Sequence, residues 1–121
     1  MLDHVGLSVS DYAASRRFYE AALEPLGWRV VMGNEAWGAG FGTGDKPVFW
    51  IVRRDPVSTG VHVAFHAAGR ATVDAFHAAA LAAGGTDNGA PGLREQYHPT
   101  YYGAFVLDPD GNNAEAVCHT G

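Results

Sequence analysis

Two histidines and one glutamate are the residues of this chain best placed to do chemistry. His4 and His62 each stand near the start of an alternating, strand-like stretch, Leu2 to Val9 and Val61 to His66, and Glu115 lies between two alanines in the last such stretch. In the first, Val5, Leu7 and Val9 oppose His4, Gly6 and Ser8; in the second, Val61, Val63 and Phe65 oppose His62, Ala64 and His66. The residues sharing each histidine's face are mostly small or polar, so helices should cover the apolar faces and leave room for a ligand over the others. A lone strand histidine is usually only half exposed, but two at equivalent positions argue for a shared purpose. Glu115 is either solvated or a ligand, because burying an unpaired carboxylate is costly. Two imidazoles and a carboxylate suit a divalent Mn, Fe, Co, Ni or Zn ion, with further positions open to water and substrate. Cys118 is the only cysteine, which excludes an intrachain disulfide and a Cys-rich zinc site.

A second group surrounds these three. Glu95 to Gly103 concentrates aromatics and a histidine just before a strand, and its functional reading is a pocket wall. In that wall His98 is the candidate acid or base, Tyr101 or Tyr102 is a hydrogen-bond donor, and Tyr97 is a substrate contact; the competing reading is a packed aromatic rim. His66 shares the face of His62, about 7 Å along the strand, and is a further candidate proton acceptor. Trp37 and Trp50, on neighbouring strands, are the tryptophans placed to touch substrate. His77 and His119 have no assigned role, and Cys118 alternates away from Glu115 and reads as core.

The elements that must position these residues occur twice. Asp11 is a natural N-cap for a helix from Tyr12 to Leu23 with Ala14, Phe18, Ala21 and Ala22 at helical spacing, ended by Pro25 and Gly27. Strands are predicted over Trp28 to Met32, about Ala36 to Phe41, and Val48 to Val52. After the connection, about residues 55–60, the order repeats: strand Val61 to His66, then helix Arg70 to Ala83 with Val73, Phe76, Ala80 and Leu81 as its stripe. Strands Tyr102 to Leu107 and Ala114 to Cys118 close the chain. Thr86 to Thr100, rich in Gly, Asn and Pro, admits only a short strand and reads as an active-site loop. Between the last two strands runs Asp108 to Asn113, a dense turn in which Asp110 is expected to brace the backbone. The chain thus divides into module one, about 1–54, and module two, about 61–121, an internal repeat of structure.

The length of 121 residues suits one domain, and 47% apolar with 17% charged residues is an ordinary globular composition. The net charge of −5, with scattered Lys and Arg, argues against a nucleic-acid partner. No apolar run reaches membrane-spanning length and the first residues do not resemble a signal peptide, so a cytoplasmic location is expected.

The opening Leu2 to Asp11, Phe18-Tyr19 with Leu26-Gly27, Val61 to Phe65, and above all Phe105 to Glu115 resemble the vicinal-oxygen-chelate superfamily of glyoxalases, bleomycin-resistance proteins and extradiol dioxygenases. The resemblance spans nearly the whole chain. It implies an α+β fold of two βαβββ modules, whose curved mixed sheet surrounds a central pocket with the helices outside. It places the family's metal ligands on His4, His62 and Glu115, and implies a small substrate with vicinal oxygens and a homodimer. Glyoxalase I carries a fourth ligand on the last strand of the first module. Here that strand reads Pro47 to Val52 without a carboxylate, which counts against lactoylglutathione lyase activity. Three ligands match the family's dioxygenases and thiol transferases; the competing function is metal-free drug sequestration of the bleomycin-resistance type.

Overall fold

The computed structural model describes residues 1–120. Its elements run β1 (Val5–Val9), α1 (Tyr12–Leu23), β2 (Arg29–Gly33), β3 (Gly38–Gly42), β4 (Phe49–Arg53), β5 (His62–His66), α2 (Arg70–Ala82), β6 (Thr86–Leu93), β7 (Tyr102–Leu107) and β8 (Asn113–Cys118). The strands form two four-stranded sheets, ordered β1-β4-β3-β2 and β5-β8-β7-β6. In each, the first strand lies parallel to the last and the remaining pairs are antiparallel. The fold is α+β, built of two βαβββ modules of identical strand order, as the repeat and the resemblance imply. No helix among the described residues is long and apolar enough to cross a membrane.

Alternation decides which face each sheet buries. Leu7, Val9, Phe49, Ile51, Ala39 and Phe41 from the first sheet, and Phe65, Ala114, Ala116, Ala104 and Val106 from the second, join one core with the helices. Phe49 and Phe65 meet edge to face across the modules with centroids 5.2 Å apart, and Trp28 meets Phe65 at 5.3 Å. Asp11 caps α1 by accepting the Ala14 N–H at 3.1 Å. The helix buries Tyr12, Ser15, Phe18, Tyr19, Ala22 and Leu23, whereas Ala14 and Ala21 of the expected stripe are only half-buried. On α2 the buried residues are Val73, Phe76 and Ala80, whereas Leu81 is exposed. The opposite faces of both sheets, bearing the two histidines, are left open.

Two expectations change. The segment read as a loop is in large part an eight-residue edge strand, β6, whose pairing with β7 shifts register between Asp87 and Gly89 and again between Gly89 and Gly92. Glycine and proline obscure it in the sequence because edge strands and bulges accept both residues. In the turn before β8, the bracing carboxylate is Asp108. It accepts the backbone N–H of Asp110 and of Asn112, both at 2.9 Å, while Gly111 takes φ 85°. Asp110 instead reaches across to module one, where its carboxylate accepts the Ser10 N–H at 3.1 Å and the Ser10 hydroxyl.

Candidate functional site

The open face of the second sheet is set by register. Ala64 pairs with Glu115, Glu115 pairs with Phe105, and Phe105 pairs with Gly89, so these four residues cross the sheet in one row on one face. His62 is two residues from Ala64 and therefore shares that face. Its Nε2 lies 2.6 Å from Glu115 Oε1. The second carboxylate oxygen, Oε2, accepts the hydroxyl of Tyr101. Glu115 is 0% exposed, so this carboxylate lies at the bottom of the face, held from both sides by hydrogen bonds. A buried carboxylate survives only with such partners.

Gly103 makes the arrangement possible. A Cβ there would approach Glu115 Oε2 and Tyr101 Cε1, each to 3.2 Å. Phe105 covers the other side, its ring centroid 6.2 Å from that of His62. Burial, followed by the bond to Glu115, pushes the Tyr101 phenol well above its usual range. Tyr101 therefore stays protonated and donates its hydrogen bond throughout the neutral range.

The remaining candidates divide by position. His66 is exposed on the face of His62. Tyr97 is 63% exposed and packs edge to face on Tyr101 at 5.1 Å. His98 is exposed and its Nδ1 lies 3.1 Å from the Thr100 hydroxyl and 3.2 Å from the Thr100 backbone N. Tyr102 alternates to the covered face. Its hydroxyl donates to Asp74 of α2 at 2.7 Å, with the Arg70 guanidinium 5.1 Å from its ring centre. Successive strand residues point oppositely, so Tyr101 and Tyr102 cannot both face Glu115, and the structure brings only Tyr101 to it.

Beside the first sheet, His4 lines a shallow pocket of about 340 Å³ with Gly6, Trp50, Val52 and Arg54. Its Nδ1 lies 2.7 Å from Asp3 Oδ1. Trp37 is 55% exposed beyond the start of β3. Of the three candidate ligands, the chain brings His62 and Glu115 together and leaves His4 beside the other sheet, one residue before β1. Among the described residues, no group of three His, Cys, Asp or Glu side chains is gathered for a metal within one chain. Sequence reasoning missed Gly103, Phe105 and Arg94. The first two were signalled by their alternation with Ala104 and Val106, but only the register assigns that face to Glu115.

The sequence matches the family model of the Glyoxalase/Bleomycin resistance protein/Dioxygenase superfamily over residues 1–116. The chain belongs to this superfamily. Among solved structures, it is similar to a glyoxalase/bleomycin resistance protein from Albidiferax ferrireducens T118, with 32% identity over 97% of both chains and a TM-score of 0.83. It shares its fold with a glyoxalase-related enzyme from Fulvimarina pelagi, at 21% identity over 98% of this chain and 87% of that one, TM-score 0.74. It also shares it with a glyoxalase I mutant from Zea mays, at 23% identity over 96% of this chain and 46% of that one, TM-score 0.72. No curated protein matches the sequence.

Proposed function

We propose that this superfamily member is a divalent-metal-dependent enzyme acting on a small substrate with vicinal oxygens, and that it works as a homodimer. The observation that carries this reading is the pair formed by His62 and Glu115, 2.6 Å apart, with the carboxylate fully buried at the foot of an open sheet face. An imidazole nitrogen and a carboxylate oxygen side by side fit a borderline divalent ion, and Tyr101 orients the carboxylate from behind. When bound, such an ion supplies Lewis-acid stabilisation to an anion developing on adjacent substrate oxygens.

His4 would complete the set from a second copy. Both open faces look away from the shared core, so a two-fold dimer lets the first sheet of one chain cover the second sheet of the other. In that arrangement His4 and Trp50 of one copy close the site, and exclude water from, His62, Glu115 and Tyr101 of its partner. His66, exposed on the same face, would accept a proton from the bound substrate, with His98 and Tyr97 at the rim.

Calorimetric titration with Mn, Ni and Zn tests the reading. The parent should bind one ion per chain, and Glu115→Gln should lose more than about a hundredfold in affinity, since even outer partners of a ligand are worth about 10–100-fold. His4→Ala should lose affinity as well. Mixing His4→Ala with Glu115→Gln chains should restore binding in about a quarter of the sites, because each mixed dimer rebuilds one intact site. A parent that binds none of the three ions overturns metal dependence and leaves a metal-free binding protein as the better account.

A further inference from the structure

We infer that Arg94 is the anchor for an anionic group on the substrate, so that the vicinal-oxygen compound this site takes also carries a carboxylate. This deepens the proposed function and rests on it for the vicinal oxygens, but the anion site stands on observations of its own. Gly92 pairs with Gly103, whose missing side chain faces Glu115, and Arg94 is two residues beyond Gly92, immediately after β6, where its backbone N–H still bonds the Tyr101 carbonyl. Its side chain therefore emerges on the face that holds Glu115. The guanidinium carbon lies 5.3 Å from the centre of the Phe105 ring, the same ring that packs near His62. Arg94 and His62 thus both pack against one phenyl group.

The strand is shaped around this cation. A Cβ on Gly92 would come within 3.1 Å of Arg94 Nη1, and one on Gly89 within 3.3 Å of Nη2 and 2.8 Å of Phe105 Cδ1. Glycine at both positions leaves space for the guanidinium to lie over the sheet, which gives the glycines of β6 a role beyond permitting its bulges. The Arg94 backbone N–H donates to the Tyr101 carbonyl at 2.7 Å, and Nη2 donates to the Ala90 carbonyl at 2.7 Å. These bonds fix the fork while leaving Nε and most of Nη1 without a strong acceptor; the Leu93 carbonyl stands 3.5 Å from Nη1.

Among the described residues Arg94 forms no ion pair, although the chain carries 13 acidic residues against 8 basic ones. A half-buried, pre-oriented guanidinium without a carboxylate of its own is suited to take one from a ligand by a charge-assisted hydrogen bond. A substrate carboxylate docked there would leave the rest of the molecule lying over Gly103 and Phe105, with its oxygens toward His62 and Glu115.

Two probes separate this inference from the reading it rests on. Catechol carries vicinal oxygens and no anion, whereas 3,4-dihydroxybenzoate adds one carboxylate. Binding of each is measured by calorimetry to the parent, Arg94→Gln and Arg94→Lys, with Mn present and after chelation. The parent should prefer the benzoate by at least about tenfold, as one charge-assisted contact gives. Arg94→Gln should lose that preference while its catechol affinity is unchanged, and Arg94→Lys should keep part of it. A merely structural arginine would weaken both probes together, which overturns the inference. So does equal binding of the two probes by the parent, and so does an unchanged preference in Arg94→Gln. Benzoate binding that depends on Arg94 but not on Mn upholds the anion site while counting against metal dependence. Binding of neither probe overturns both.

Discussion

Replacing Asp108 by alanine should destabilise the protein by about 3 to 5 kcal/mol, far more than the same change at Asp110. Asp108 is 4% exposed, and its carboxylate accepts the Tyr19 hydroxyl at 2.6 Å, the backbone N–H of Asp110 and Asn112 at 2.9 Å each, and Asn112 Nδ2 at 3.2 Å. Tyr19 and Asn112 are each 1% exposed, so water cannot easily replace the lost acceptor for either. Each buried donor left unpaired costs about 1 to 3 kcal/mol, and the turn's own bonds add to this. Asp110→Ala removes only the link to exposed Ser10, worth about 1 kcal/mol. In urea, with a slope of about 1–3 kcal/mol per molar, the Asp108→Ala midpoint should fall by more than about 1 M. Adding Tyr19→Phe to Asp108→Ala should recover about 1 kcal/mol, because the orphaned hydroxyl is gone. Equal midpoints for Asp108→Ala and Asp110→Ala, or no recovery in the double variant, would refute this account of the turn.

Tyr101→Phe should weaken metal binding by about 10–100-fold, because it removes the hydrogen bond that orients Glu115, and should also lower the urea midpoint, because the buried carboxylate loses one of its two partners; unchanged affinity in calorimetry would show that His62 alone holds the carboxylate. The bond from His77, and next the Gly89 N–H, holds the Asp87 carboxyl below its usual range. A depressed carboxyl contributes stability that is present above its unfolded value, about 3.9, and is lost as pH falls through the lower folded value. The stability advantage of the parent over Asp87→Asn should therefore shrink as pH falls below about 4, as followed by melts through that range; an advantage that does not fall on acidification would rule out the carboxylate as its source.

Much of the fold was legible because its signals are local. Alternation in Leu2 to Val9 and Val61 to His66 marks both first strands, Asp11 marks the start of α1, and Asp108 to Asn113 marks the last turn. The strand β6 was not legible, since its glycines and Pro91 carry turn signals and its place at the sheet edge is what allows them. The choice between Tyr101 and Tyr102 was not legible, because two adjacent tyrosines look alike until the start of β7 determines which one faces the helix.

By itself, the sequence determined the two-module repeat, which face of β5 carries His62, and the absence of a carboxylate on β4, because periodicity and composition are properties of neighbouring residues. Only the tertiary structure decided that Glu115 meets His62 and Tyr101 at the bottom of one face, that His4 stands beside the other sheet, and that Arg94 lies against Phe105. Each of these depends on strand register and on how two sheets share a core. A shift of one residue in register would turn every such side chain to the opposite face, and no local pattern records it.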